Sequence, residues 1–126
     1  MPSPPPTINP PEGHYIINEG SAAVIASNSV FFNKVQTFNR DITLLAIHAF
    51  NNMRVKQWKR DVPPRKLRIL EALSATGLRA IRFAKELPSE SLGEVIANDI
   101  SPAACEQILQ SIGSQQLILI GYLHLF

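Results

Sequence analysis

The spacing of apolar residues changes several times along the chain, and each spacing predicts a different element. Two short apolar runs at 15–17 and 22–26 flank Glu19-Gly20, and two such runs around a glycine are typical of a β-hairpin. Residues 33–41 are polar and indicate an ordered loop. The beginning of the chain therefore predicts a hairpin that is followed by a loop.

The segment after this loop has apolar residues at helical spacing, and it is the clearest helix that the sequence predicts. Asp41 is a suitable N-cap, and Pro63-Pro64 prevents a helix from running much further, so the pattern predicts a helix over about 41–58. The apolar residues on one face of this helix are Ile42, Leu45, Ala46, Ala49, Phe50 and Met53.

The next segment predicts a strand, a helix and a second strand. Segment 66–73 is short and largely apolar, as a buried strand would be. A turn of small residues follows it, and the apolar residues over 78–87 then have helical spacing. Residues 94–98 predict the second strand, and Ser101-Pro102 suits the start of a helix through about Leu109. Such a βαβ unit has parallel strands and a right-handed crossover.

These elements define an α/β fold: an amino-terminal β-hairpin and helix, followed by the first βαβ unit of a Rossmann-like sheet. The 126 residues allow one small domain. We divide the chain into a Pro-rich arm at 1–13 that we expect to be disordered, a hairpin and helix region at 14–65, and the start of the Rossmann-like domain at 66–126.

Composition narrows the classes of function. The formal charge of +2 is too small to hold nucleic acid by a whole-chain field. The Lys- and Arg-rich stretch 54–68 is either a solvated face, which we favour, or a patch that faces phosphates. The single cysteine, Cys105, excludes an internal disulfide and a cysteine metal cluster, and its apolar position indicates a buried thiol. Without a membrane-length apolar run or a signal peptide, we expect a soluble intracellular protein, with nucleus, cytoplasm and mitochondrion all open.

Three residues of the βαβ unit have the spacing of a nucleoside site. Glu71 ends the first predicted strand, Gly77 lies where the chain bends into the helix, and Asp99 ends the second strand. Open α/β folds bind ligands at this edge of the sheet, where an acid can accept hydrogen bonds from both ribose hydroxyls. The arrangement serves nicotinamide enzymes and S-adenosylmethionine (SAM) enzymes alike.

The glycine pattern disfavours a dinucleotide. A pyrophosphate needs the close backbone approach of a G-x-G-x-x-G turn, yet Ala72 and Ser74 occupy the places of the earlier glycines when Gly77 ends the pattern. SAM has no phosphate, so a turn with fewer glycines can suffice. Even so, the commonest SAM turn has glycines where Leu73 and Ala75 stand.

Three segments together resemble the tRNA (guanine(26)-N(2))-dimethyltransferase family. They read N-E-G-S-A at 18–22, V-F-F-N-K-V-Q-T-F-N-R-D at 30–41, and L-E-A-L-S-A-T-G-L-R-A-I-R-F-A at 70–84, with A-N-D-I-S following at 97–101. Lys34 replaces a proline that the family usually has. The resemblance implies a class I methyltransferase sheet, SAM as cofactor, tRNA as partner, and methylation then dimethylation of a guanine N2.

The resemblance also implies the site residues. Asp99 matches the acid that binds the ribose, with Gly77 in the nearby turn, and Arg40 and Arg79 match arginines that contact the cofactor. A guanidinium suits the carboxylate at the methionine end of SAM, and either arginine can fill that role. Glu71 is placed to accept from the methionine ammonium. Each charged residue also has a structural alternative. Arg40 can pair with Asp41 or cap a helix, Arg79 and Arg82 can be solvated, and Glu71 can simply anchor the turn.

No catalytic residue is assigned. Amino-methyltransferases of this class resemble one another in a loop of the D/N-P-P/F/Y type that positions the amine, and the only such start here, Asn9-Pro10, is followed by proline in the Pro-rich arm. We therefore expect the 126-residue chain to be inactive alone, and the alternative is a non-catalytic truncated product that binds SAM or tRNA weakly. From about 110 the chain departs from the family into an apolar tail, which is either a third strand or, as we favour, a foreign carboxyl end.

Overall fold

The computed structural model describes residues 9–112 and 118–121. In this part of the chain, β1 (His14–Glu19) and β2 (Ala22–Ser27) form an antiparallel hairpin, and a short 3-10 helix (Lys34–Gln36) leads into α1 (Thr37–Gln57). The elements that follow are β3 (Leu67–Glu71), α2 (Leu78–Glu86), β4 (Leu92–Asn98), α3 (Pro102–Ile112) and β5 (Ile118–Gly121).

The second sheet is parallel and has the strand order β3-β4-β5. Ile69 of β3 pairs with Val95 of β4, which in turn pairs with Ile118 of β5. This arrangement confirms the predicted α/β fold with its hairpin and βαβ unit. Part of the apolar tail forms β5, so the strand interpretation holds for 118–121, and a foreign origin of the tail stays a prediction.

Two predictions about the chain ends fall largely outside the described residues. The arm at 1–13 is described only from residue 9, and the tail only at 118–121 beyond residue 112. The predicted disorder of the arm and the division into three regions therefore remain predictions. Among the described helices, none combines the length and the apolar character that crossing a bilayer requires.

The core lies between the parallel sheet, α2, α3 and the hairpin. Its largest fully buried side chains include Val24 of β2, Ile81 of α2, Val95 of β4 and Ile108 of α3. Cys105 is fully buried in α3, as predicted for a structural thiol. The hairpin is tied to α3 where the backbone N–H of Ile25 donates to Ser111 Oγ at 2.9 Å, across 86 residues of sequence.

The start of α1 differs from its prediction. The helix begins at Thr37, and no side chain caps it, so the prediction of Asp41 as N-cap is wrong. Asn33 Oδ1 accepts from the backbone N–H of Val35 at 2.9 Å and starts the 3-10 turn that continues into the helix. Of the predicted loop 33–41, residues 34–36 form this 3-10 turn and residues 37–41 begin α1. The Asp41 carboxylate pairs with Arg82 at 2.7 Å.

The apolar face of α1 does not pack on the core. Leu44 and Asn51 are the buried residues of this helix, and they lie on a different face from the apolar stripe. The stripe residues with large exposed side chains are Ile42, Leu45, Phe50 and Met53. The face that packs on the core carries Leu44 and the half-buried Ile47. Arg40 and Asp41 add ion pairs to the rest of the protein, so the predicted apolar stripe does not orient this helix.

Candidate cofactor site

The turn between β3 and α2 is built around one glycine. Gly77 has a φ of +74° and precedes the first residue of α2. A Cβ atom at this position would lie 2.9 Å from Ile108 Cγ1, closer than real Cβ atoms approach. The positive φ and the close contact with Ile108 therefore both require glycine at this position. Without a side chain here, α2 can pack against α3 beside the turn.

Ala75 is the strained residue of the same turn. Its φ of +49° lies in the left-handed region, which costs an L-residue with a Cβ about 1–2 kcal/mol. Asp99 compensates, since its Oδ2 accepts from the backbone N–H of Ala75 at 2.9 Å and its Oδ1 accepts from that of Ser101 at 2.9 Å. The position where the commonest SAM turn has glycine is thus left-handed here too, and the acid at the end of β4 holds it.

Recesses open on both sides of this turn. The Asp99 recess has a volume of about 430 Å³, and the residues that line it include Ser27, Ser29, Asp99, Ser101, Ala104 and Gln107. The Arg40 recess has a volume of about 280 Å³, and the residues that line it include Phe32, Asn33, Arg40, Glu71, Ser74 and Arg79. Val30, Ala75 and Thr76 border both recesses, so one elongated molecule can occupy the two across the turn.

Arg40 is held rigidly at the wall of its recess. Its Nε and Nη2 donate to the two carboxylate oxygens of Glu19 at 2.7 and 2.6 Å. Its guanidinium carbon lies 5.2 Å from the ring centroid of Phe32. The hydrogen bonds from Arg40 lower the pKa of Glu19 to about 2 despite burial. The partner of Arg40 is therefore Glu19, and the alternative of a pair with Asp41 is wrong.

Glu71 and Arg79 are less tightly held. Glu71 Oε2 accepts from the backbone N–H of Ala80 at 3.1 Å, which caps the start of α2, while Arg79 Nε is 3.8 Å from Glu71 Oε1. Burial raises the pKa of Glu71 to about 7. The carboxyl does anchor the turn, but it also lines the Arg40 recess and can gain or lose a proton near neutral pH.

The pattern of the sequence did not reveal two further residues near the site, Glu19 and Arg82. The alternative of a solvated Arg82 is wrong, because this residue is only 5% exposed. It pairs with Glu19 at 2.8 Å, Asp41 at 2.7 Å and Glu86 at 2.9 Å. The spacing of Arg82 and Glu86 by one helical turn was the available signal. No group of possible metal ligands occurs in the part of the chain that the structure describes.

A parallel sheet whose first turn and second-strand acid flank one elongated site defines the start of a class I methyltransferase domain. Residues 12–117 match the family model described as N2,N2-dimethylguanosine tRNA methyltransferase. The chain belongs to this family, which confirms the resemblance seen in its sequence.

Individual relatives agree with this assignment. The tRNA (guanine(26)-N(2))-dimethyltransferase of Caenorhabditis elegans is 39% identical in a match that covers 77% of this chain and 22% of that protein. The mitochondrial tRNA (guanine(26)-N(2))-dimethyltransferase of Saccharomyces cerevisiae is 34% identical in a match that covers 80% of this chain and 24% of that protein. The structure of Trm1 from Pyrococcus horikoshii with S-adenosyl-L-methionine is similar with a TM-score of 0.60 and 33% identity, covering 78% and 23%. The chain thus spans less than a quarter of each relative's length.

Proposed function

We propose that this chain supplies the SAM-binding part of an intracellular tRNA (guanine(26)-N(2))-dimethyltransferase. Such an enzyme methylates, then dimethylates, a guanine N2 in tRNA. The observation that carries the proposal is the pair of recesses joined over Ala75 and Thr76, with a carboxylate at one end and guanidinium groups at the other. SAM has the complementary order of groups, a ribose and adenine at one end and a zwitterionic amino acid at the other.

The Asp99 recess suits the nucleoside. Each carboxylate oxygen of Asp99 accepts one backbone N–H and has a further lone pair for a ribose hydroxyl. The exposed Ile100 and the small Ala103 and Ala104 follow in sequence and offer apolar surface for an adenine. We therefore assign Asp99 to the ribose, with Gly77 needed for the shape of the turn.

The Arg40 recess suits the amino-acid end. We assign the carboxylate of SAM to Arg40, because its guanidinium is already oriented, and we assign Arg79, whose side chain is 45% exposed, to a supporting contact. Glu71 accepts from the ammonium group once its carboxyl is ionised. When bound, SAM supplies the methyl group as part of a sulfonium, and these residues bind and orient it.

The Asp99→Ala variant tests this assignment. We expect purified wild-type chain to bind SAM saturably in a calorimeter, and Asp99→Ala to lose about a hundredfold in affinity, since two hydrogen bonds to a charged acceptor are removed. Glu94→Ala is the matched control, because Glu94 lies on β4, which Asp99 directly follows, and it pairs with the exposed Arg68. Equal affinities of the wild type and Asp99→Ala would refute the ribose assignment.

A basic groove favours a second candidate, a non-catalytic product that binds tRNA weakly. The groove has a volume of about 400 Å³, and the residues that line it include Arg54, Lys56, Arg65 and Lys66 with Glu90. It lies where β3 and β4 begin, at the sheet edge opposite the cofactor recesses, and its cations can face phosphates. Turnover with SAM and unmodified tRNA separates the candidates: we expect none from the 126 residues alone, and clear product would mean that they are sufficient for catalysis.

A further inference from the structure

We propose that Glu19 is a positioning residue, which holds the Arg40 guanidinium in the orientation that binds the carboxylate of SAM. The inference rests on the proposed function and adds to it a residue from the amino-terminal hairpin. Glu19 ends β1 and is 8% exposed, so it touches the cofactor recess only through Arg40.

The geometry leaves Arg40 little freedom. Both oxygens of Glu19 accept parallel bonds from Nε and Nη2 of Arg40, an arrangement that fixes the plane of the guanidinium. Thr37 Oγ1 donates to Glu19 Oε2 at 2.9 Å and keeps the carboxylate in place. The ring of Phe32 lies beside the guanidinium. Nη1 takes no part in the bonds to Glu19, and it is the group that we assign to the incoming carboxylate.

Arg40 keeps hydrogen-bond donors for an anion although it is already paired with Glu19. Glu19 Oε1 also accepts from Arg82 Nη1 at 2.8 Å, so one negative charge is shared between two guanidinium groups. Arg82 also pairs with Asp41 and Glu86, so the cluster has three carboxylates for two guanidinium groups. The attraction for a second carboxylate therefore comes from the N–H groups of Arg40 Nη1, which make no bond to Glu19, and not from a net positive charge of the cluster. Because the guanidinium is already held in place, a second carboxylate that binds Nη1 does not have to pay the entropy of ordering the Arg40 side chain.

The test compares two ligands, SAM and 5′-methylthioadenosine, which keeps the nucleoside and sulfur but lacks the amino-acid end. In Glu19→Gln, we expect the Kd for SAM to rise about tenfold or more and the Kd for 5′-methylthioadenosine to change less than about twofold. Arg40→Ala is expected to give the same selective loss, and the double variant no further loss, because the two residues act as one unit.

Glu86→Gln is the matched control. Like Glu19, Glu86 pairs with Arg82, and it also accepts from the backbone N–H of Ser21 at 2.9 Å. Within the described part of the chain it therefore ties the hairpin to α2 without bonding to Arg40. We expect this variant to lower the Tm while the ratio of the two Kd values stays as in the wild type. A change in the ratio of the two Kd values in Glu19→Gln can therefore be told apart from a general loosening of the hairpin, which would lower the Tm alone.

The outcomes separate the two levels of the proposal. If Glu19→Gln raises the Kd for both ligands by the same factor, or changes neither Kd, then Glu19 is only structural and the inference fails. If Glu19→Gln shows no cooperative melt, Arg40→Lys carries the test: it keeps the charge but loses the parallel bonds, and an unchanged ratio would overturn the inference. If the wild type binds neither ligand, the proposed function itself fails.

Discussion

Replacing Arg82 with methionine is expected to lower the free energy of unfolding by about 3 kcal/mol. Arg82 is buried at the centre of three carboxylates, and its loss leaves Glu19, Asp41 and Glu86 without their shared cation. Breaking a buried ion pair costs about 3–5 kcal/mol. We expect the lower end of that range, because Glu19 retains Arg40. Urea unfolding followed by circular dichroism measures the change.

Arg68→Met provides the comparison for that experiment. Arg68 pairs with Glu94 on the surface, and its side chain is 74% exposed. Exposed ion pairs contribute about 0–1 kcal/mol, so this variant should unfold nearly as the wild type does. Equal losses in the two variants would show that the charge cluster around Arg82 does not hold the hairpin, α1 and α2 together.

SAM affinity is expected to rise roughly twentyfold between pH 5.5 and 7.5, because the ammonium group needs an ionised Glu71 and each pKa unit corresponds to a tenfold change. Burial raises the pKa of Glu71 to about 7, so only a few per cent of this carboxyl is ionised at the lower pH. The α-amino group of the cofactor loses its proton at about pH 7.7–8.0, which limits the useful range. Calorimetric titration at several pH values measures the slope.

The raised pKa of Glu71 has the opposite effect on the stability of the folded chain, which falls as the pH rises. The pKa of Glu71 is higher in the folded chain than the ordinary 4.5, so its contribution to stability is full below pH 4.5 and is lost as the pH rises through about 7. Glu71→Gln removes both effects. If the affinity for SAM keeps the same pH slope in Glu71→Gln, another group is responsible, and the ammonium assignment is wrong.

The sequence predicted the βαβ unit well because its signals are local. An apolar run, a small-residue turn and the Ser101-Pro102 start each report on a few neighbouring residues, and the Ser101 hydroxyl does accept from the backbone N–H of Ala104 at 3.3 Å. Parallel pairing then brings Glu71 and Asp99 to one edge of the sheet, as the pattern indicated. The placement of Arg40 beside that edge came only from the family resemblance.

The orientation of α1 could not be read from the same signals. Its apolar stripe has helical spacing, yet the helix is held by Arg40 and Asp41, whose partners lie on other elements. The bond between Arg82 and Glu19 joins residues 63 positions apart, and nothing local marks it. The spacing of apolar residues shows which residues share one face of a helix. It does not show which face packs against the rest of the protein when ion pairs contribute to that contact.

The bond between Ile25 and Ser111 has a consequence for how the chain folds. The hairpin leaves the ribosome before the rest of the described chain, but its packing partner α3 follows only after 86 residues. Contacts of such high sequence separation form late, since the long loop between them must first be closed at an entropic cost. Until then the apolar side chains of β2, which are buried in the folded protein, lack the packing that α3 provides. The hairpin, the first of the described elements along the chain, is therefore among the last of them to complete its native contacts.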